Sequence, residues 1–468
     1  MRRLWFYLIF MALCAGGCTL APPYTRPAAP VPAQWPTGAA YEGAVSDASA
    51  LPASEMAWRT FITDGRLQKV IDMTLDNNRD LRIASLNVER ARAYYGIQRA
   101  ELLPSVGAAG TWYKERIPAD LSSSGKAVTV EQYSVDLGVA SWEIDFFGRI
   151  RSLKDAALEE YLSTDQARHS ARLLLITATA QAYLVLAADR EALGLVSSTL
   201  EAQEAAYDLI KKRYDAGVAS ELDLRRAQSQ RDAARGDIAR YTQAVAQDEN
   251  ALDLLAGAPV PPELLPEALD GVAPPKALSP GLSSEALLRR PDILAAEHRL
   301  KAANANIGAA RAAFFPRIAL TTTVGTASAD LSGLFKSGSG TWSFMPSISL
   351  PIFDARTWSA YRVTKIEKEL SIAQYEKSIQ TAFREVADAL AARGAIDRRI
   401  EAQQSLVDAL AEAYRLASLR YEKGIDSYLG VLDAQRSLYG ARQGLVGLRL
   451  AKISNLVSLY SVLGGAAD

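Results

Sequence analysis

Residues 213–230 read RYDAGVASELDLRRAQSQ, and residues 420–437 read RYEKGIDSYLGVLDAQRS. In both stretches a tyrosine, a glycine, a serine, a leucine and an Ala-Gln pair follow at the same spacing, offset by 207 residues. Upstream, Asp80 and Pro104 match Asp292 and Pro316 at an offset of 212 residues. A segment of about 175 residues is therefore duplicated, which predicts two stacked copies of one supersecondary unit.

Proline-rich stretches separate the two copies from the rest of the chain. Residues 19–58 and 258–283 are rich in proline, and such runs are extended, wrapping a surface or serving as a tether. The predicted organisation is a signal peptide (1–17), an N-terminal segment (18–63), a first repeat (64–257), a linker (258–283), a second repeat (284–464) and a short tail (465–468).

The N-terminus has the features of an export signal. Arg2 and Arg3 precede an apolar run that is too short to span a bilayer. The small residues before Cys18 resemble a bacterial lipobox, although Ala15 stands where leucine is usual, and this predicts acylation of Cys18. By the same resemblance, Thr19 in place of an aspartate implies the outer membrane. An ordinary signal peptide cut near Gly17 is the alternative.

Composition excludes several classes of function. The formal net charge of −1 gives no basic bias toward nucleic acid. The two histidines, His169 and His298, lie in separate helical stretches, where a structural or surface role is the simpler interpretation. The sequence contains no phosphate-binding glycine loop, no clustered metal ligands and no nucleophile–base pattern. We therefore expect no enzyme activity, no cofactor and no metal.

Each repeat is predicted to begin with one helix, at about 64–103 and about 284–314, that ends before Pro104 or Pro316. Two segments of alternating polarity follow in each repeat, within about 105–145 and about 317–352. One face of the first carries Tyr133, Val135, Leu137 and Val139, with small or polar residues between them. This alternation is typical of a barrel strand whose apolar face meets lipid, and also of a half-buried sheet in a soluble protein. An outer-membrane destination favours the barrel.

Two long segments then predict helical hairpins. Residues 149–214 and 357–421 contain no proline and one glycine each, and about 65 helical residues span roughly 100 Å. Gly217 and Gly424 are placed to end these helices in a left-handed cap. Ser220 and Ser427, the latter with Asp426, are candidate N-caps of the return helices. The predicted hairpins cover about 149–257 and about 357–464.

The number of strands predicts an oligomer. Four strands per chain cannot close a membrane barrel, because the smallest have about eight and open edges are not tolerated in lipid. Three copies give about twelve strands. The predicted fold class is thus an α+β membrane protein: a trimeric 12-stranded outer-membrane β-barrel, with four strands per chain, continued by a long α-helical periplasmic barrel and containing an internal duplication.

The whole mature chain resembles the TolC-like outer-membrane efflux protein family, in its lipoprotein branch of the OprM and NodT type. The stretches that carry the resemblance are CTLAPPYTRP (18–27), SWEIDFFGRI (141–150), RRPDI (289–293), FFPRI (314–318), PIFDAR (351–356) and YLGVLDAQRSL (428–438). The resemblance implies a homotrimer in outer-membrane lipid, with an equatorial belt that includes the proline-rich segments. It also implies docking through a periplasmic adaptor to an inner-membrane transporter, which we expect to be of the RND type.

By this resemblance, Leu429 and Asp433 match the pair that narrows the tunnel at its periplasmic tip. Their spacing of four places them on one helix face, and three copies of Asp433 would form a ring of like charge. A solvated carboxylate near a helix N-terminus is the alternative. The first repeat has Arg226 at the position equivalent to Asp433. The ring of a trimer is therefore expected to contain three carboxylates, one from each chain, rather than six.

The hairpin tips carry the remaining candidate residues. Gly217, Ser220, Gly424 and Ser427 form the predicted tips, where the adaptor is expected to dock. Arg225 and Arg226 either pair with acidic groups there or are plain surface charge. Asp223 fits a capping box with Ser220.

The predicted function is passive export of drugs or other small molecules, as the outer-membrane exit channel of a tripartite pump. A duct for protein secretion and a non-conducting lipoprotein that spans the periplasm are the alternatives. An enzyme on a helical scaffold lacks a candidate site.

Overall fold

A computed structural model describes residues 19–42, 53–279 and 283–466 of the chain. The predicted signal peptide, Cys18 and the last two residues of the predicted tail lie outside these ranges. The described chain forms two compact units. The first comprises residues 19–28, 87–165 and 295–376, and the second comprises the remaining described residues.

The regular elements follow the same order in each half of the chain. A short helix, Trp58–Phe61, comes first. The longer helices are α1 Gly65–Asn77, α2 Arg79–Ala100, α3 Arg149–Asp215, α4 Glu221–Ala256, α5 Pro291–Ala312, α6 Ala355–Glu422 and α7 Tyr428–Val462. The strands are β1 Val106–Ile117, β2 Val128–Glu143, β3 Arg317–Ser328 and β4 Gly340–Ser349. The sequence of helices, strand pair and long helical hairpin therefore occurs twice, as the duplication predicts.

The first unit contains one antiparallel sheet in the order β1-β2-β3-β4. β2 and β3 pair with each other, so this ladder joins the two repeats. Within the described chain, the outer edges of β1 and β4 have no partner strand. The predicted four strands per chain are confirmed, and the sheet has two unpaired edges.

The strand register separates an apolar face from a small and polar face. Trp112 lies opposite Tyr133, and Leu137 lies opposite Val324, which in turn lies opposite Trp342. Because side chains alternate along a strand, these residues share one face. The same face also carries Val106, Val135, Phe344 and Ile348, all of them exposed. The opposite face carries Ser134, Asp136, Gly138, Thr321, Thr323 and Ser343.

An ion cluster fixes the elbow, residues 141–151, at which β2 leads into α3. A bulge between Val139 and Trp142 breaks the register, and Ser141 adopts a positive φ of 55°. The Glu143 side chain, 9% exposed, accepts two hydrogen bonds of 2.9 Å from Arg149. It also binds Arg317, the first residue of β3, at 2.6 Å. This carboxylate therefore ties the end of β2 to the start of both α3 and β3.

A second buried carboxylate holds the strap, residues 19–28, along α5. Glu297, whose side chain is 4% exposed, pairs with Arg26 at 2.6 Å and with Lys301 at 3.3 Å. Burial alone would raise the pKa of Glu297, but the Arg26 hydrogen bond and the Lys301 charge hold it below its usual value. Ion pairs with a buried carboxylate therefore help to hold the strap on α5.

Hydrogen bonds hold the first residues of the strap against α3 and α5. The Thr19 hydroxyl lies 3.1 Å from the Ser152 hydroxyl, and the Arg311 guanidinium donates to the Leu20 carbonyl oxygen at 3.1 Å. A Cβ on Gly308 would lie 2.7 Å from the Ala21 nitrogen, so only glycine permits this approach. The extended run predicted from the prolines is therefore packed against a helix from its first described residue.

Two predictions of single helices were wrong. The helix predicted at 64–103 is interrupted by Asn78, whose side-chain amide donates to the Leu255 carbonyl oxygen at 2.9 Å and whose Oδ1 accepts from the Leu81 N–H. The helix predicted at 284–314 begins as a 3-10 helix at Ser284–Arg289. α5 starts only at Pro291, because a residue before proline disfavours the helical region and Arg290 has ψ 136°.

Aliphatic, aromatic and small side chains together form the core of the second unit. Ala180, Ala187 and Tyr183 of α3 are fully buried. The rings of Phe61 and Tyr460 stack with centroids 4.3 Å apart. The small alanine side chains allow neighbouring helices to approach α3 closely.

Replacing Glu143 with alanine is expected to destabilise the elbow. The change leaves Arg149 and Arg317 without their carboxylate, and we expect a loss of about 2 kcal/mol, since both arginines retain partial access to water. Thermal unfolding in detergent, followed by circular dichroism, measures this as a lower Tm. Glu143→Gln keeps the shape and is expected to lose less. Glu89→Ala, an exposed carboxylate on α2, is the control, and an equal loss there would contradict the assignment.

Candidate constriction at the hairpin tips

Both long helices end in the same backbone motif. Gly217 has φ 74° and Gly424 has φ 71°, the left-handed conformation that glycine adopts without strain. The Gly217 and Val218 N–H groups donate to the carbonyl oxygens of Tyr214 and Arg213, both at 2.8 Å. Gly424 and Ile425 repeat this pair of bonds at 2.9 Å. Each tip is therefore a Schellman turn that closes its hairpin sharply.

The return helices begin differently at the two tips. Ser220 caps α4: its hydroxyl oxygen accepts from the Asp223 N–H at 3.1 Å and donates to the Asp223 carboxylate at 2.6 Å. Ser427 occupies the N-cap position of α7, but its side chain makes no capping bond. The expected side-chain capping bond is thus present in the first hairpin (α3–α4) and absent in the second (α6–α7).

An apolar cluster joins the two hairpins near their tips. Ile210, Ala227, Tyr428, Val431 and Leu432 are buried together, with Tyr414 and Tyr421 packed against them. These residues come from α3, α4, α6 and α7, so the second hairpin is anchored to the first through one face of α7.

The candidate gate residues lie on a different, exposed face of α7. Leu429 is 39% exposed, and the Asp433 side chain is 58% exposed. Ser437, Gly440 and Gly444 continue this exposed stripe. Asp433 accepts a hydrogen bond of 3.1 Å from Arg436 on the same helix. The stripe faces away from the apolar cluster, which leaves both gate side chains available for something outside this chain.

The duplicated arginines at the two tips have different partners. Arg420 pairs with Asp426 at 2.5 Å, and this holds the pKa of Asp426 below its usual value. The position equivalent to Asp426 in the first hairpin is Ala219. Arg213, the counterpart of Arg420, instead donates to the Tyr421 hydroxyl at 2.7 Å, and its guanidinium lies 5.2 Å from the Tyr421 ring centre. The first hairpin therefore binds the second through Arg213, whose own turn has Ala219 where the second turn has the aspartate that pairs with Arg420.

In the described chain, neither Arg225 nor Arg226 forms an ion pair or a side-chain hydrogen bond with the other hairpin. Arg225 pairs with Glu221 at 3.3 Å and with Gln228, both on α4, and both members of the ion pair are 64% exposed. Arg226 makes no ion pair with any residue that the structure describes. Such exposed pairs contribute little to stability. Arg213 and Tyr421 link the two hairpins instead, and neither was predicted from the sequence. The signal available there is that Ala219 stands at the position equivalent to Asp426.

A polar network links α4 and α7 farther from the tips. The Tyr439 hydroxyl donates to the Asp237 carboxylate at 3.0 Å, and the Gln443 amide donates to the Tyr439 oxygen at 2.6 Å. Burial and the Asp237 carboxylate raise the pKa of Tyr439. The tyrosine therefore stays neutral and able to donate at all physiological pH values.

Two carboxyl groups, Asp189 of α3 and Asp248 of α4, lie next to each other between the two helices. Burial raises the pKa of Asp248 to about 6, and the neighbouring Asp189 carboxylate adds to the shift. Burial also raises the pKa of Asp189. One Asp248 oxygen is buried without a hydrogen-bond partner. Beside them Arg190 and Glu249 pair at 2.6 Å. The first hairpin thus carries a carboxyl pair that is less costly to bury when protonated.

Within residues 19–42, 53–279 and 283–466, no three His, Cys, Asp or Glu side chains gather in a group that could hold a metal ion.

Removing the Arg213 contact is expected to loosen the tips. Arg213→Ala loses a charge-assisted hydrogen bond and a ring contact, and we expect amide hydrogen exchange in residues 207–231 and 414–432 to accelerate roughly tenfold. Tyr421→Phe removes only the hydroxyl and is expected to show part of the effect. Arg225→Ala is the control because its contacts stay within α4. Equal acceleration in Arg225→Ala would refute the role of Arg213.

The carboxyl pair predicts a pH dependence. Since the folded pKa of Asp248 exceeds its ordinary value, its protonated form favours the folded state, and that stability is lost as pH rises from about 4 through 6. Asp248→Asn is therefore expected to raise Tm at pH 8 and to leave it unchanged near pH 4. Melting curves at both pH values measure this difference. The exposed Asp208→Asn is the control, and a gain independent of pH would contradict the prediction.

The chain matches a known family model over most of its length. Residues 70–258 and 282–465 match the model described as outer membrane efflux protein. The toluene efflux pump outer membrane protein TtgC of Pseudomonas putida is 48% identical over 461 residues, covering 98% of this chain and 94% of TtgC. The antibiotic efflux pump outer membrane protein ArpC of Pseudomonas putida has the same identity and coverage.

A solved structure shares the fold. The open state of the Neisseria gonorrhoeae MtrE outer membrane channel superposes with a TM-score of 0.86 at 39% identity, covering 96% of this chain and 99% of MtrE. The predicted fold class and the outer-membrane location are thereby confirmed. With nearly its whole length covered at such identity, the chain belongs to the outer membrane efflux protein family, whose channels are trimers that extend from the outer membrane into the periplasm.

Proposed function

We propose that this outer-membrane efflux protein is the passive exit channel for small organic molecules in a tripartite pump. The substrates named for its relatives, toluene and antibiotics, are of this class. The energy comes from an inner-membrane transporter, which we assign to the RND type. The channel itself would perform no chemistry.

The tips are the proposed docking site for the periplasmic adaptor. Each chain presents two turns with similar backbones, at Gly217 and Gly424, and the return helices begin at Ser220 and Ser427. Three copies would present six such turns of two kinds, because the side chains around the two turns differ. We further propose that Cys18 carries the acyl anchor and that the proline-rich segments contribute to an equatorial belt.

The observation that carries the gate proposal is the placement of Leu429 and Asp433. They share one exposed face of α7, whereas Val431 and Leu432 of the same helix are buried in the apolar cluster. Around a threefold axis, three Leu429 side chains would form an apolar constriction and three Asp433 carboxylates a ring that attracts cations. Arg436 lies beside this ring and would offset part of its charge.

Single-channel conductance in a planar bilayer tests the gate. Asp433→Ala removes the ring of charge, and we expect a higher conductance, a weaker preference for cations, or both. Asp408→Ala is the matched control, because it removes an exposed carboxylate from the other helix of the same hairpin.

The outcomes separate the proposals. Identical conductance and selectivity in the wild type, Asp433→Ala and Asp408→Ala would leave a channel whose constriction lies elsewhere. If no form conducts although all are folded and inserted, the protein is a tether that spans the periplasm, and the channel proposal fails.

A further inference from the structure

We propose that the outward face of β1 and β2 carries a binding site for the phosphate groups of the outer-leaflet glycolipid. The site is the rim patch, which consists of Trp112, Lys114, Arg116, Glu131 and Tyr133. It is separate from the tips and does not depend on the gate.

The rim patch lies at the end of the sheet that is remote from the helices. β1 follows α2 and β2 leads into α3, so the turn between β1 and β2 lies at the opposite end of both strands. The same holds for the turn between β3 and β4. Because the helices of this family extend into the periplasm, these turns are on the outer side of the membrane.

The strand register places the patch on the lipid-facing side. Trp112, Lys114 and Arg116 alternate along β1 on the apolar face defined above, opposite Tyr133, Glu131 and Thr129. The patch continues directly into Val135 and Leu137, which are exposed apolar residues. Lipid is therefore the neighbour of this surface, since the small and polar face points the other way.

A convergent hydrogen-bond network marks where the hydrocarbon ends. The rings of Trp112 and Tyr133 stack with their centroids 6.4 Å apart. Trp112 Nε1 and the Tyr133 hydroxyl both donate to one oxygen of Glu131, at 3.0 and 2.8 Å. Lys114 Nζ donates to the other oxygen at 2.8 Å. Aromatic rings with polar tips, and an ion pair beside them, belong at the interface between hydrocarbon and headgroups.

Arg116 extends beyond this network into the headgroup layer. It lies four residues past Trp112, roughly 10 Å farther out for a strand tilted by about 40°. Its side chain is exposed and makes no ion pair or side-chain hydrogen bond in the described part of the chain. Glu131 engages one of the three Lys114 donors, so the others remain available beside Arg116.

A phosphate is the ligand that this arrangement fits. A guanidinium binds phosphate through two parallel N–H bonds, and the neighbouring ammonium adds a second positive charge. Basic residues next to an apolar surface recognise lipid headgroups in this way. The Trp112–Tyr133 pair would pack against the sugar and the first acyl carbons, which a free anion does not provide.

Native mass spectrometry of the purified trimer, titrated with bis-phosphorylated lipid A, tests the proposal. We expect the wild type to retain lipid A and Arg116→Ala to need about tenfold more lipid for the same occupancy. Arg116→Lys keeps the charge but loses the bidentate geometry, so an intermediate occupancy is expected. Arg92→Ala removes an exposed arginine from α2 and is expected to bind like the wild type.

Three results would overturn the proposal. Equal occupancy of the wild type and both Arg116 variants would show that Arg116 is not a ligand. Equal binding of dephosphorylated lipid A would show that phosphate is not recognised. Displacement by inorganic phosphate at comparable concentration would identify a site for free anions rather than lipid. Trimer mobility and conductance confirm that each variant is assembled.

Discussion

Backbone groups that face hydrocarbon have no water to bond, and this requirement governs the whole molecule. β1 and β4 each leave one edge unpaired, over 12 and 10 residues. A single chain therefore cannot complete a span of the membrane. Pairing of β1 of one copy with β4 of the next would satisfy both edges in a closed trimer, and this need for hydrogen bonds explains why the channel is an oligomer.

Duplication supplies the parts of this assembly, and divergence at the tips gives the two hairpins different contacts. Each repeat contributes two strands and one helical hairpin, and the β2–β3 ladder joins the repeats within the sheet. The backbone turns at Gly217 and Gly424 are alike. In the second turn Arg420 pairs with Asp426, whereas the first turn has Ala219 at that position and its Arg213 bonds to Tyr421 of the other hairpin. Two contacts therefore hold the hairpin with the proposed gate: the bond from Arg213 of the first hairpin and the Arg420–Asp426 pair in its own turn.

The sequence predicted what local patterns encode. Alternating residues gave the strands and their two faces, and glycine after a long helical run gave the turns at Gly217 and Gly424. The break at Asn78 was missed because its partner, the Leu255 carbonyl, is 177 residues away. The bond between Arg213 and Tyr421 was missed for the same reason, at a separation of 208 residues. Ser427 has the right residue type and position for a cap, but its side chain makes no capping bond, since residue type alone does not fix a hydroxyl.

The strap sets where a lipid anchor would begin. Thr19 is held against Ser152 in the first turn of α3, and Gly308 lets the chain approach α5 without a gap. Acyl chains on Cys18, as proposed above, would start one residue from this fixed point. Such an anchor would have no free linker before the folded chain, so it would fix the height of the membrane surface relative to the elbow at which β2 leads into α3.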